Sequence, residues 1–409
     1  MEKSILDQII NNQKIEEIAK LNTVDIVGNL FNELNDRERD ILSRRFGLGG
    51  NSRETLETVG AIHNLTRERI RQIEVGSIKK IRQLKNLNDY LDIFKKVINQ
   101  LLEEHGGLVE KKYLLNLLVN FSFEGESGKE RTDIMHKNNI DFLISKLMDS
   151  EFEELVGAKF FKDSYKLKYQ DLEHLELLAE EILLKIQESK KILKTEELIN
   201  LLTQLDAYSK SREKFNINYN IDISNVLGND FFDESLDIIN NNKVLYSLLR
   251  SLKNIGQNKF GHWGINDWRE IKPKTINDKI YLVLKDNGKP MHFTKIADRI
   301  NEVGFDNKKA NAATVHNELI LDKKYVLIGR GLYSLKEWGY SEGTVADVII
   351  DILSDTDKPV SRDEIINKVL EKRIVKKTTI ILALMSREMF KKVSGGYILK
   401  DKPKDNEKE

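Results

Sequence analysis

The 409-residue sequence has no cysteine and only four prolines. The first absence excludes disulfides, thiolate zinc sites and a cysteine nucleophile, and it suits a reducing cytoplasm. The second, with abundant Lys, Glu, Leu, Ile and Asn, points to a mostly helical chain. Histidine is sparse: His63, His105, His136, His174, His262, His292 and His316 never fall within 20 residues of one another. That spacing argues against a His-paired metal motif, and no cofactor or metal is expected. There is no apolar run of about 18 residues and no basic-then-apolar leader, so neither a membrane span nor a signal peptide is expected, and the expected location is cytoplasmic. Net charge is also missing, because 66 Lys and Arg balance 66 Asp and Glu. What is present is 40% apolar residues, sufficient for several small cores, and a length that suits about two to four domains.

The neutral total conceals a division along the chain. Between Arg67 and Lys85 seven basic residues face two acidic ones, Glu68 and Glu74. Residues 141–240 carry 12 basic and 21 acidic groups, residues 271–340 carry 13 and 8, and residues 361–400 carry 10 and 4. Basic ends around an acidic middle suggest that the ends meet a polyanion and the middle does not.

Local signals concentrate in residues 31–85. Leu56, Val59 and Ile62 follow Thr55 as the apolar stripe of a short helix. In His63-Asn64-Leu65, Asn64 can adopt the left-handed conformation of a tight turn. Thr66 then stands as an N-cap, with Arg69 where a capping box would have Glu. A second helix is predicted from Arg67 to about Leu84. Two short helices joined by a tight turn form a helix-turn-helix. On the second helix Ile70, Ile73, Ser77 and Ile81 share the face that packs inward. Glu68, Arg71, Gln72 and Val75 lie opposite, and Arg67 and Arg69 flank them at the N-terminal end, the part of a recognition helix that meets base edges. Arg suits guanine O6/N7, Gln suits adenine N6/N7, and Glu accepts from cytosine N4. The bland alternative is a solvated surface helix with charge pairs.

Thr66-Arg67-Glu68-Arg69-Ile70-Arg71-Gln72-Ile73-Glu74, preceded by Thr55-Leu56-Glu57-Thr58-Val59-Gly60, Arg37-Glu38-Arg39-Asp40-Ile41-Leu42 and Arg45-Phe46-Gly47-Leu48, resembles region 4 of sigma-70-type factors. That module reads the promoter −35 element and docks on the RNA polymerase flap. The resemblance implies base contacts from Arg67, Glu68 and Gln72, and DNA-backbone contacts from Arg69 and Arg71; Thr66, Lys79 and Lys80 are further candidate backbone contacts. Two departures stand out. Gly76 sits mid-helix where the family has a good helix former, at a cost of about 1 kcal/mol relative to Ala. Only some 30 residues precede the module, without the aromatic-rich helices that melt a −10 element, so a conventional sigma factor is not expected. Residues 1–30, with Ile5, Leu6, Ile9, Ile10, Ile15, Ile18 and Leu21, read as a packing or partner helix.

The rest of the chain reads as a repeat. In 275–338 a helix through Ile280, Val283 and Leu284 is followed by the turn Asp286-Asn287-Gly288-Lys289-Pro290. Helices from Thr294 to Val303 and through Thr314–Leu319 come next, and a hairpin closes the unit over Lys324–Trp338 with Gly329-Arg330-Gly331 at its tip. Three helices and a β-wing make a winged helix. Further copies are expected at Val345–Lys400 (helices at 344–355, 361–371 and 376–389), before Gly261–Trp268, and over 91–170, closing on Phe160–Leu167. Thr314-Val315-His316-Asn317-Glu318-Leu319 and Gly331-Leu332-Tyr333-Ser334-Leu335-Lys336-Glu337-Trp338 resemble the HARE-HTH domain, a winged helix also found in the RNA polymerase delta subunit and fused to restriction enzymes. Lys308, Lys309, Asn311, Asn317 and Arg330 are candidate DNA contacts there, and Tyr333 and Trp338 read as core aromatics.

The expected fold is mainly α, a sigma region 4-like helix-turn-helix followed by tandem winged helices. The expected segments are 1–30, 31–88, 89–170, 171–270 (acidic), 271–340, 341–400 and a disordered tail 401–409. No catalytic constellation emerges. Glu110-Lys111-Lys112 fits half of a nuclease motif but falls in a predicted helix. The Gly-rich segments Gly47-Leu48-Gly49-Gly50 and Gly329-Arg330-Gly331 lack the Lys-Ser/Thr of a phosphate loop. The leading expectation is a non-enzymatic, sequence-specific transcription factor that binds duplex DNA and RNA polymerase, with no membrane or metal partner. Two rivals stand beside it: a delta-like polymerase subunit contacting mainly protein, and the DNA-specificity subunit of a restriction or repair system.

Overall fold

In the computed structural model the described residues are 22–122, 130–217, 236–340, 343–356, 358–386 and 389–400. The expected helix within 1–30 therefore lies, for residues 1–21, outside the described residues, as does the tail 401–409. The fold is mainly α with small antiparallel sheets. Contacts divide the chain into two units, Met1–Asn266 and Asp267–Glu409.

The first unit opens with α1 (Thr23–Leu30), α2 (Asp36–Phe46), α3 (Leu56–His63) and α4 (Arg67–Arg82). Asn35 begins α2 with a capping box to Glu38. Two similar blocks follow. The first contains α5 (Leu87–Glu104), β1 (Leu108–Glu110), α6 (Lys111–Ser122), α7 (Glu130–Phe142), a π-helical turn at Leu143–Leu147, β2 (Phe152–Leu155) and β3 (Ser164–Leu167). Its sheet order is β1-β3-β2. The second contains α8 (Glu173–Ser189), α9 (Thr195–Thr203), α10 (Asp206–Lys210), α11 (Arg212–Phe215), α12 (Leu236–Asn241), α13 (Lys243–Ser251), β4 (Ile255–Gln257) and β5 (Trp263–Ile265).

The second unit repeats the pattern twice. Its first block has α14 (Ile276–Asn287), β6 (Met291–His292), α15 (Phe293–Val303), α16 (Ala312–Leu321), β7 (Tyr325–Leu327) and β8 (Leu332–Leu335), in the sheet order β6-β8-β7. Its second has α17 (Val345–Ser354), α18 (Arg362–Lys372), α19 (Lys377–Leu384), β9 (Phe390–Val393) and β10 (Gly396–Leu399). Val348, Ile349, Ile352, Ile365, Val369, Ile380 and Phe390 form one buried cluster there.

All four blocks place a short extended segment between the first and second helices, antiparallel to the last strand. It is β1 on β3, Leu193 opposite Trp263, β6 on β8, and Val360 opposite Tyr397. This segment escapes the sequence pattern, because one to three residues are too few to display alternation. Three other expectations need correction. The helix predicted over 376–389 ends at Leu384, and Phe390 already begins a strand. Glu110 is not helical but closes β1, and its carboxylate faces Lys162 at 3.9 Å and Arg250 at 3.7 Å. Tyr333 is buried as expected, whereas Trp338 ends a 3-10 turn half-exposed.

Candidate nucleic-acid interface

The helix-turn-helix is built from local chemistry. The Thr55 side chain caps α3 by accepting from Thr58 N. Asn64 ends α3 at φ 53°, ψ 44°, the left-handed turn its short polar side chain tolerates. Leu65 N then donates to Gly60 O at 2.9 Å. A Cβ on Gly60 would stand 2.7 Å from Leu65 O, so the turn closes this tightly only over a glycine. Thr66 caps α4, its hydroxyl accepting from Arg69 N at 3.2 Å. Ile41, Val59 and Ile70 form the buried centre, with Leu56, Leu65 and Ile73 packed around it. Ser77 and Ile81 continue the buried face. Ile62 does not join them and is 47% exposed. A spacing of three residues slips about 60° per step on a helix of about 3.6 residues per turn, so the third member of the stripe has rotated away. The place is taken by His63, whose Nε2 lies 2.8 Å from Asp40.

Ionic struts fix α4 to α2. Arg45 pairs with Glu74 at 2.8 Å and also donates to the Glu54 carbonyl. Lys80 pairs with Glu38. Burial works to raise the Glu38 carboxyl, but hydrogen bonds from Lys80 and the Asn35 N–H overcome it and hold it below the usual range.

Thr66, Arg67, Glu68, Arg69, Arg71, Gln72, Lys79 and Lys80 are all exposed. Arg67, Glu68 and Gln72 lie on the first two turns of α4, at the end that carries the positive helix pole. Their neighbours hold them in place. Arg71 grips the Glu68 carboxylate with two hydrogen bonds, at 2.9 and 2.7 Å, and this bond is the first cause of the lowered Glu68 carboxyl. Arg69 donates to the Gln72 carbonyl oxygen at 3.2 Å. A side-chain hydrogen bond from Gln72 lowers the Glu68 carboxyl further, so Glu68 and Gln72 are both already engaged in the free protein. Lys80 is engaged with Glu38, whereas Lys79 projects from the C-terminal half.

Several residues that position this module were not singled out from the sequence. Arg82 donates to Lys146 O at 2.8 and 2.6 Å and pairs with Asp149 at 2.9 Å. Asn138 and Asn139 on α7 donate to Gly47 O and Leu48 O at 2.9 and 3.3 Å. The Phe142 ring packs against Phe31 and Phe46 at 6.0 and 5.0 Å between centroids. Arg53 pairs with buried Asp141, and Thr23 bonds His136 at 3.0 Å. The helix before the closing hairpin of the first block, α7, is thereby committed to the helix-turn-helix. α13, the helix before the closing hairpin of the next block, is similarly committed. Ser247 donates to Leu108 O at 2.7 Å, and buried Lys243 pairs with buried Glu104 at 2.8 Å.

In the second unit Lys308, Lys309, Asn317 and Arg330 are exposed. Lys308 and Lys309 precede α16, Asn317 lies on it, and Arg330 sits at the tip between β7 and β8. Asn311 is exposed too, but its side-chain oxygen caps α16 by accepting from Ala313 N at 2.9 Å, leaving only its amide N–H groups for a phosphate. Among the described residues no group of three or more His, Cys, Asp or Glu is placed to hold a metal ion. No described helix is long and apolar enough to cross a membrane.

The family model "Sigma-70, region 4" matches residues 30–83. Similar curated proteins are named RNA polymerase sigma factors. SigA of Clostridium acetobutylicum is 48% identical over 66 residues, covering 15% of this chain and 18% of that protein. SigA of Microcystis aeruginosa is 43% identical over 67 residues, 16% of each. RpoS of Coxiella burnetii is 33% identical over 86 residues, 20% of this chain and 24% of the relative. The chain thus spans between 16% and 24% of the length of these relatives. No solved structure matches it. Residues 30–83 are a sigma-70 region 4 module.

Proposed function

We propose that the chain is a DNA-binding transcription factor acting at promoters, with α4 reading a −35-type element and RNA polymerase as protein partner. The observation that carries this reading is the two-sidedness of α4. Its apolar face is buried on α2 and α3, while Arg67, Glu68 and Gln72 stand exposed at the end that enters a major groove. Phosphate contacts from Thr66, Arg69, Arg71, Lys79 and Lys80 supply affinity, and base contacts supply specificity. The polymerase enters through the names of the relatives, each an RNA polymerase sigma factor. In this reading the modules are 31–88, 89–170, 171–270, 271–340, the HARE-HTH-like one, and 341–400. Lys308, Lys309, Asn311, Asn317 and Arg330 add a second basic surface.

The test is enrichment of bound duplexes from a randomised pool, with full-length protein and with Gln72→Ala. A recurrent motif that loses one position in the variant is expected. Bound pools without any motif would overturn the reading. A second reading, a polymerase accessory subunit acting mainly on protein, is favoured by the acidic charge of 141–240 and by the covered helices α7 and α13. Co-sedimentation with polymerase without duplex binding would select it.

A further inference from the structure

The last winged block presents a surface unlike that of α4. On α19 and just beyond it Leu382 is 68% exposed, Met385 66% and Met389 43%. Ile374, ahead of the helix, is 48% exposed. Around them stand Lys376 and Lys377 at the start of α19 and Lys391 and Lys392 on β9, all exposed. No ion pair involves these four lysines among the described residues. From Lys372 to Lys400 the sequence has eight basic residues and one acidic residue, Glu388. We infer that this face docks an acidic, amphipathic protein segment, leucine-like side chains on Leu382 and Met385 and carboxylates on the lysines.

Three arguments select this occupant. A helix that reads bases needs donors and acceptors at its exposed positions; α19 has them on its first turn, at Lys377, Thr378 and Thr379, but Leu382 and Met385 beyond offer none. Met instead moulds to apolar partners of varied shape. A second copy of the chain would bring the same four lysines together, a like-charge contact. The chain itself already uses the helix before a closing hairpin for protein docking, in α7 on the helix-turn-helix and in α13 on the first block. In α19 the equivalent helix bears an apolar patch that remains open. This inference is independent of the DNA-reading role of α4.

The test uses the full chain and a labelled helical peptide with leucines at helical spacing and glutamates on both flanks. A matched peptide with lysines in place of the glutamates is the control. Anisotropy should detect binding of the glutamate peptide alone. Leu382→Asp with Met385→Asp should weaken it about tenfold or more, with thermal unfolding unchanged because both positions are exposed. Lys391→Glu with Lys392→Glu should also weaken it, independently of the apolar patch. Equal binding of both peptides, no binding of either, or indifference to both variant pairs would overturn the inference. So would loss of duplex binding in the Leu382/Met385 variant, which would put α19 in a DNA groove, or self-association that the same variant abolishes.

Discussion

Arg67 and Gln72 differ from Lys79 in what they are expected to do on the same helix. Arg67→Ala or Gln72→Ala should cost about 1–3 kcal/mol on a preferred duplex and relax the choice of one base pair. Lys79→Ala should weaken every duplex alike and reduce the salt slope by about one. Competition titrations with preferred and scrambled duplexes separate the two patterns, and equal losses on both for Gln72→Ala would remove it from base reading. A second residue-scale effect concerns pH. Burial is the main reason the His105 pKa falls to about 4, below the ordinary value near 6.5. The unfolded chain then binds the extra proton between these values, so His105 contributes stability that is present above about pH 6.5 and lost as pH falls toward about 4. Urea unfolding at pH 7 and pH 5 should differ by about 2 kcal/mol on this account, and His105→Leu should flatten the difference. His136 and His174, lowered by burial too, act in the same direction.

At the scale of elements, α3, the turn and α4 were legible because their signals are local. Thr55 and Thr66 cap, Asn64 turns left-handed, and Ile70, Ser77 and Ile81 repeat at helical spacing. The first strands of the four blocks and the docking of α7 were not. The strands are too short to alternate, and Asn138 and Phe142 meet residues about ninety positions away. Nothing near them in sequence marks those partners. The exposure of Arg67, Glu68 and Gln72 on one end of α4, the set proposed to read bases, was legible as residue types on a face. The pairing of Glu68 with Arg71 and of Gln72 with Arg69 depends on side-chain geometry. Two glycines give opposite predictions. A Cβ on Gly76 meets nothing within 4 Å, so Gly76→Ala should stabilise by about 0.5–1 kcal/mol. Gly60→Ala should destabilise, because its Cβ would press on Leu65 O. Calorimetry of the two variants should move Tm in opposite directions.

Within the first unit, the helix-turn-helix is braced against the first of the two blocks that follow it. Phe142 is fully buried between Phe31 and Phe46. Phe142→Ala should cost about 3–5 kcal/mol and increase hydrogen exchange in α1 and α2 before α8. Uniform loss of protection across the unit would contradict a localised brace. The charge division follows the same plan. Most of the basic segment 67–85 lies on α4, while the span 141–240 carries an acidic excess, a charge sign that disfavours a polyanion. The central claim is that α4 reads bases, and anisotropy of the full chain tests it most directly. The probes are a duplex carrying a −35-type element and its scrambled counterpart, each at low and at physiological salt. A preference for the −35-type duplex that persists as salt rises is the predicted result. Equal affinities that fall together with salt would contradict the claim and leave a generic DNA clamp.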